Sequence, residues 1–354
     1  MSVPFVRTGP EAARRVQRLL QVAPPRRILI MGREHIGDVV NTTPGIAVVR
    51  KSFPHARVVV EIGERAAAVL ENFPGIDEVW PRPTHQGALG KLRRVREIKR
   101  AHFDLALLFD DTNDLVLHAK LGGVPIRLGI WRGVKYEELF CAYVPFVRKK
   151  HELRDHIREL LEMMGCDVSG YRPRLFPSEA DRAAADAALR DLGEGPWIGV
   201  HPGASEPKRR WPIEKWCALV DALHDRGLRV LLLEGPGDGA LADAIQAGAG
   251  TMPSRIRSQL TVLSFASLTS GLDTLVCGDT GPMHLAATMG TRVVALYGPA
   301  YPEHTGPWGE GHRLLQEPCP CPERHPRHCT GACMEAHCPR KVADAVTETQ
   351  ALLP

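Results

Sequence analysis

Asp38 lies in the segment RILIMGREHIGDVVNTTPG, after a short apolar run and a glycine, where a helix begins. A carboxylate just past the end of a strand is placed to take a proton from a bound hydroxyl. The same carboxylate serves equally as a helix cap, accepting backbone N–H groups. The loop before it, GREHIG, does not have the GxGxxG spacing of a dinucleotide fingerprint, which weakens a dehydrogenase reading.

Three further segments carry groups suited to a phosphorylated ligand. Residues 201–205 (HPGAS) form a small-residue turn ahead of Lys208, Arg209 and Arg210, and Pro212 then starts a helix. Backbone N–H groups of such a turn can approach phosphate oxygens while the cations neutralise them; a solvated basic turn is the plain alternative. Residues 278–284 (GDTGPMH) again join a strand to a helix. Thr280 and Gly281 at the helix start would make a phosphate cradle, Asp279 would accept sugar hydroxyls and His284 would donate to a phosphate. Residues 234–238 (EGPGD) end the buried run LRVLLL, a position where acidic residues bind ribose hydroxyls, although a turn without ligand has the same composition.

Five of the nine cysteines, Cys319, Cys321, Cys329, Cys333 and Cys338, fall in residues 319–338, with His325, His328 and His337 among them. In a reducing compartment thiols at these separations suit a structural zinc or iron, or remain free and pack a loop. The spacing is not a paired CxxC.

The elements that must position these groups alternate. Apolar runs at 26–31, 57–62, 78–80 and 104–109 read as strands, with helical character at 39–50 and from 66. The pattern breaks at 171–177, then resumes with strands at 197–200, 228–233, 274–277 and 292–296 and helices at 213–225 and 283–289. Such alternation predicts an α/β chain of two Rossmann-like, doubly wound domains, residues 1–175 and 176–354, facing a cleft with the C-terminal ends of their strands.

Charge separates the halves: residues 1–175 carry 29 Lys/Arg against 20 Asp/Glu, and residues 176–354 carry 16 against 21. A basic first half predicts an anionic partner there. Residues 91–100 (KLRRVREIKR) set Leu92, Val95 and Ile98 on one stripe and six cations outward. Of these, Arg93, Arg94, Arg96, Lys99 and Arg100 are candidates for an anionic acceptor or a membrane leaflet, or simply a solvated face. The N-terminal segment, with Val16, Leu19 and Leu20, is expected to pack on its own domain. No apolar run is long enough to span a bilayer and no secretory signal opens the chain, so a cytoplasmic protein is expected.

Together, RILIMGREHIGDVVNTTPGIAVVRKSFPHARV, FPGIDEVW, IGVHPGASEPKRRWPIEKW and GDTGPMHLAATMGTRVVALYGP resemble glycosyltransferase family 9, the lipopolysaccharide heptosyltransferases, over nearly the whole chain from about residue 26. The resemblance implies a GT-B fold with an acceptor-binding first domain and a second domain that binds a nucleotide sugar of the ADP-heptose type. It implies an inverting reaction that needs no metal or other cofactor, with an inner-core lipopolysaccharide or related anionic glycolipid as acceptor. Peripheral contact with the cytoplasmic face of the inner membrane fits such an acceptor.

Carried over by position, Asp38 matches the family's proposed base. Arg209 stands where many members have a lysine, with Lys208 beside it, and Asp238 matches an acidic ribose contact. Asp279, Thr280, Gly281 and His284 match the donor loop. Ala204 replaces a threonine of some members, leaving Ser205 as the hydroxyl there, and Glu34 and His35 put more bulk and charge near the base. Many members carry a similar cysteine pattern, and a few are thought to bind metal through it.

A transferase using another nucleotide sugar, or a protein or capsule acceptor, fits the same motifs. A nucleotide-binding or metal-binding module without transfer activity would not need Asp38. Nucleic acid is disfavoured as a partner by the acidic second half and the lack of a recognised motif.

Overall fold

The computed structural model describes residues 7–85, 87–110, 112–133, 135–147, 152–190, 192–193, 196–256, 260–319 and 329–351. The chain divides into two units, Met1–Arg174 and Leu175–Pro354.

The first unit is built on strands β1 (Arg27–Met31), β2 (Arg57–Gly63), β3 (Glu78–Arg82), β4 (Leu105–Leu108), β5 (Ile126–Trp131) and β6 (Ala142–Pro145). Their order is β3-β2-β1-β4-β5-β6, and every ladder is parallel. Runs such as LALL in β4 are buried throughout, as expected for a parallel sheet covered on both faces. The helices are α1 (Gly9–Val22), α2 (Ile36–Ser52), α3 (Ala88–Ala101), α4 (Asn113–Leu121) and α5 (Glu152–Met163). Helix α1 buries Ala12, Val16 and Leu20 within its own unit, as expected, but Leu19 turns outward.

Helix α2 carries the first site residue and contains Pro44, which has no N–H for the carbonyl four residues back. The buried Thr43 hydroxyl fills the gap, donating to the Val40 carbonyl at 2.7 Å. It also accepts the Arg174 N–H at 3.1 Å, at the end of the unit.

The second unit has strands β7 (Trp197–His201), β8 (Arg229–Leu233), β9 (Ser254–Ile256), β10 (Thr274–Gly278), β11 (Arg292–Tyr297) and β12 (Arg313–Gln316). Helices α6 (Glu179–Arg190), α7 (Ile213–His224), α8 (Gly239–Gly248), α9 (Val262–Thr269) and α10 (Gly281–Thr288) join them, and Pro339–Gln350 forms a closing helix. All strands are parallel in the order β9-β8-β7-β10-β11-β12, so the second sheet has the winding of the first. One apolar cluster packs Trp211, Trp216 and Leu219 with the closing helix, and a second gathers Trp197, Leu272 and Met283.

Strands β5, β6, β9 and β12 were not expected from the sequence. Gly129 interrupts β5 and Pro145 ends β6, residues that read as breakers. The strands β9 and β12 are short and lie at the sheet edges.

In each sheet the winding reverses direction between two adjacent strands, β1 and β4 in the first and β7 and β10 in the second. Loops leaving the C-terminal ends of such a pair splay apart and make a crevice for ligand. No helix among the described residues is long and apolar enough to cross a membrane.

Candidate functional site

In the first unit, β1 and β4 deliver the groups at the reversal point. Asp38 is the third residue of α2, and the N-cap is His35, so Asp38 is not the cap residue. Its carboxylate is about a quarter exposed (26%), and Arg33 Nη1 lies 3.8 Å from its Oδ1. The other side of Arg33 faces Asp110, with Nε 3.9 Å from Oδ1. Asp110 is buried just past β4 and accepts the Thr112 N–H at 2.9 Å, which fixes its carboxylate.

These groups line an open cavity of about 1120 Å³ whose walls also include Arg82, Lys91, Arg132 and Lys135. Arg82 is buried and donates to the Gly32 carbonyl at 2.8 Å. Behind it lies the fully buried Glu61, 3.8 Å from Arg82 and 3.5 Å from Arg94. Burial raises the Glu61 carboxyl against the opposing pull of the two guanidiniums. Burial likewise lowers the His118 imidazole in the cavity wall, favouring its neutral form.

Helix α3 differs from the stripe expected of it. Ile98 is buried and Val95 half-buried, but Leu92 is exposed. Arg94 turns inward, pairs with Glu61 and Glu97 and stacks over the Trp80 ring at 5.3 Å. Arg94 lies between the buried Glu61 carboxylate and the Trp80 indole face, and this placement overrides the simple apolar pattern. Arg93 pairs with Glu97 at 3.1 Å, while Arg96, Lys99 and Arg100 remain exposed.

In the second unit, the loop after β7 and the loop after β10 meet through Arg209 and Asp279. Arg209 Nη1 donates to both the backbone carbonyl and Oδ2 of Asp279, each at 3.3 Å. Lys208 pairs with Glu206 at 3.1 Å, and Ser205 is exposed on the same loop. Thr280 is the N-cap of α10 and donates its hydroxyl to the Gly278 carbonyl at 3.3 Å. Gly281 is the first residue of α10, and the fourth, His284, is buried.

Asp238 is the N-cap of α8, and its Oδ2 accepts the Gly235 N–H at 3.1 Å. It presses against the β7 loop so closely that a Cβ on Gly203 would lie 2.0 Å from Oδ2. The buried His201 beneath is lowered by burial, with Asp238 acting in the opposite sense. Glu234, the other acid of EGPGD, is buried in an ion pair with Arg255.

The Sγ atoms of Cys319, Cys329 and Cys333 lie within 4.8 Å of one another. Cys329 and Cys333 are 3.5 Å apart, and the Gly331 N–H donates to Cys329 Sγ at 3.4 Å. Burial and the neighbouring Cys329 push the Cys333 thiol up to about 12. Tetrahedral zinc with ~2.3 Å bonds to sulfur needs sulfur atoms roughly 3.8 Å apart, so this thiol set fits a metal. Cys338, expected with them, does not join this group: it is the N-cap of the closing helix, where the Lys341 N–H lowers its thiol. Cys321, His325 and His328 lie outside the described residues. Gly331 has φ +95°, and a Cβ there would come 3.3 Å from the Lys208 Cα, so the thiol segment packs directly against the Lys208–Arg209 loop.

Arg33, Arg82, Asp110, Arg132 and Lys135 were not among the residues expected from the sequence. Asp110 was findable: it follows the LALLF run, and the C-terminal end of a strand beside β1 is where ligands bind. Arg82 carries no local signal, since its role depends on Glu61 in a different strand.

The model of glycosyltransferase family 9 (heptosyltransferase) matches residues 92–333. Lipopolysaccharide heptosyltransferase 2 of Escherichia coli K12 is 25% identical over 309 residues, covering 82% of this chain and 88% of the relative. Among solved structures, the glycosyl transferase family 9 protein of Veillonella parvula superposes with a TM-score of 0.81 at 24% identity, covering 92% and 97% of the two chains. The E. coli ADP-heptose lps heptosyltransferase II superposes with a TM-score of 0.71 at 20% identity, covering 92% and 98%.

Proposed function

The chain belongs to glycosyltransferase family 9, the heptosyltransferases, and from that premise we propose that it transfers a heptose from ADP-heptose to the inner core of an anionic lipopolysaccharide-type acceptor, with inversion and without a catalytic metal. The observation that carries this reading is the cavity beside Asp38, a carboxylate among guanidinium and ammonium groups that suits an anionic sugar presenting a hydroxyl. The likeness to the E. coli ADP-heptose lps heptosyltransferase II supports the donor.

In the proposed reaction Asp38 removes the proton from the acceptor hydroxyl as that oxygen bonds to the anomeric carbon. The bond from that carbon to the diphosphate breaks on the opposite face, and ADP leaves with the electron pair. Such a base contributes ~10²–10⁴-fold. Arg209, Lys208 and the N-terminus of α10 meet the charge that develops on the diphosphate. Asp238 and Asp279 are assigned to the ribose and the sugar hydroxyls, Ser205 and His284 to phosphate. The acceptor is taken to reach the enzyme at the cytoplasmic face of the inner membrane.

Cys319, Cys329 and Cys333 would hold a structural zinc or iron. Bound there, the metal would brace the segment that packs on Lys208 and take no part in transfer. Elemental analysis of protein purified under reducing conditions tests this, and a metal content near zero would end it.

Calorimetric titration with ADP, UDP and GDP tests the donor assignment. ADP is expected to bind at least about tenfold more tightly than the others, a difference of ~1.4 kcal/mol. Equal affinities, or a preference for UDP or GDP, would remove ADP-heptose as donor.

A further inference from the structure

We propose that the outer face of α3 docks the first unit onto an anionic lipid bilayer. This deepens the reading of a lipid-linked acceptor and rests on it for its biological sense, but the docking is measurable by itself.

With about 100° per residue, Leu89, Leu92, Arg93, Arg96, Lys99 and Arg100 of α3 fall on one side. Ile98 and the inward-turned Arg94 fall on the other. The burial pattern agrees: Leu89 is 83% exposed and Leu92 45%, whereas Ile98 is fully buried. Two adjacent leucines in water at the start of a helix, followed by four cations, have no use in the packing of the unit. No carboxylate lies within this stripe; Glu97 sits at its edge, engaged by Arg93 and Arg94.

Charge selects the occupant. Apolar side chains at one end and cations along the rest match a bilayer with anionic headgroups, where the leucines enter the acyl boundary and the cations meet phosphates. The wider surface is of the same sign, since residues 1–174 carry 29 Lys/Arg against 20 Asp/Glu.

The stripe is also next to the chemistry. Gly87, the N-cap of α3, and Lys91 in its first turns line the cavity that contains Asp38, so the helix that carries the stripe also borders the site, with the leucines on a different side from Lys91.

Co-sedimentation of the full chain with vesicles tests the proposal. Binding is expected to vesicles with about 30% phosphatidylglycerol but not to pure phosphatidylcholine, and to weaken strongly in high salt. L89S/L92S and, separately, R96E/K99E/R100E should each reduce partitioning about tenfold or more. L89S/L92S should transfer sugar to a water-soluble, delipidated acceptor at the wild-type rate. Equal partitioning of wild type and both variants, or no preference for anionic vesicles, would overturn the docking face whatever the transfer assay shows. Loss of vesicle binding alongside intact transfer to the soluble acceptor would support it. Failure of wild type to transfer any sugar while still docking would count against the transferase reading alone.

Discussion

Arg209 Nη1 lies 3.3 Å from Oδ2 of Asp279, joining the loops that leave the neighbouring strands β7 and β10. The first unit contains the same relationship at the same place in its sheet. There Arg33 follows β1, Asp110 follows β4, and their side chains approach to 3.9 Å. Two sheets of identical winding thus each hold an arginine and an aspartate across the reversal point, where ligands settle in folds of this kind. In the first unit the arginine also reaches Asp38, the proposed base.

Replacing Arg209 with Ala should remove a cation that matters most when the diphosphate leaves. The expected result in steady-state kinetics is a fall in kcat of about 10²-fold with a smaller rise in donor KM, and R209K should recover part of it. A change confined to KM would mean that Arg209 binds ground state and transition state equally.

Thr43 tests how α2 tolerates its internal proline. T43V keeps the shape but leaves the Val40 carbonyl and the Arg174 N–H without their partner. Destabilisation of about 1–3 kcal/mol is expected, read as a lower midpoint in denaturant or thermal unfolding. An unchanged midpoint would show that the carbonyl finds another donor.

Asp181, buried at the start of α6, supplies a pH dependence. Burial alone would raise its carboxyl, but hydrogen bonds from Ser178, Ser264 and Thr261 outweigh burial and hold it well below the ordinary value. A carboxyl lowered in the folded state favours folding above its unfolded pKa of about 3.9, and loses that contribution as pH falls through the folded value. Stability should therefore decline below about pH 4. D181N should lower stability at neutral pH by roughly 1.5–3 kcal/mol and flatten the acid slope. Unfolding titrations from pH 7 downward distinguish the two proteins; identical slopes would contradict the assignment.

Much of this was legible in the residue order because parallel strands covered on both faces are short apolar runs. RILIM, RVVVEI, LALL and LRVLLL announce themselves, and the segments after RILIM, LALL and LRVLLL carry Asp38, Asp110 and Asp238. The edge strands of the second sheet were not legible: RLLQ keeps Leu314 in water and SRI is three residues long, so neither differs from a loop in composition.

The face of α3 was misjudged for a different reason. Periodicity places Leu92 inward with Val95 and Ile98, and only the buried Glu61 on β2 and the Trp80 ring on β3 explain why Arg94 takes the inner side. Arg82 was missed for the same cause. Ion pairs between separate elements leave no local mark in sequence.

The central claim is that the Asp38 carboxylate takes the proton from the acceptor hydroxyl. Single-turnover transfer from ADP-heptose by D38N, which keeps the side chain's shape and removes the base, measures it directly. The expected outcome is a rate lower by ~10²–10⁴-fold with ADP affinity unchanged. Transfer by D38N within a few-fold of wild type would contradict the account.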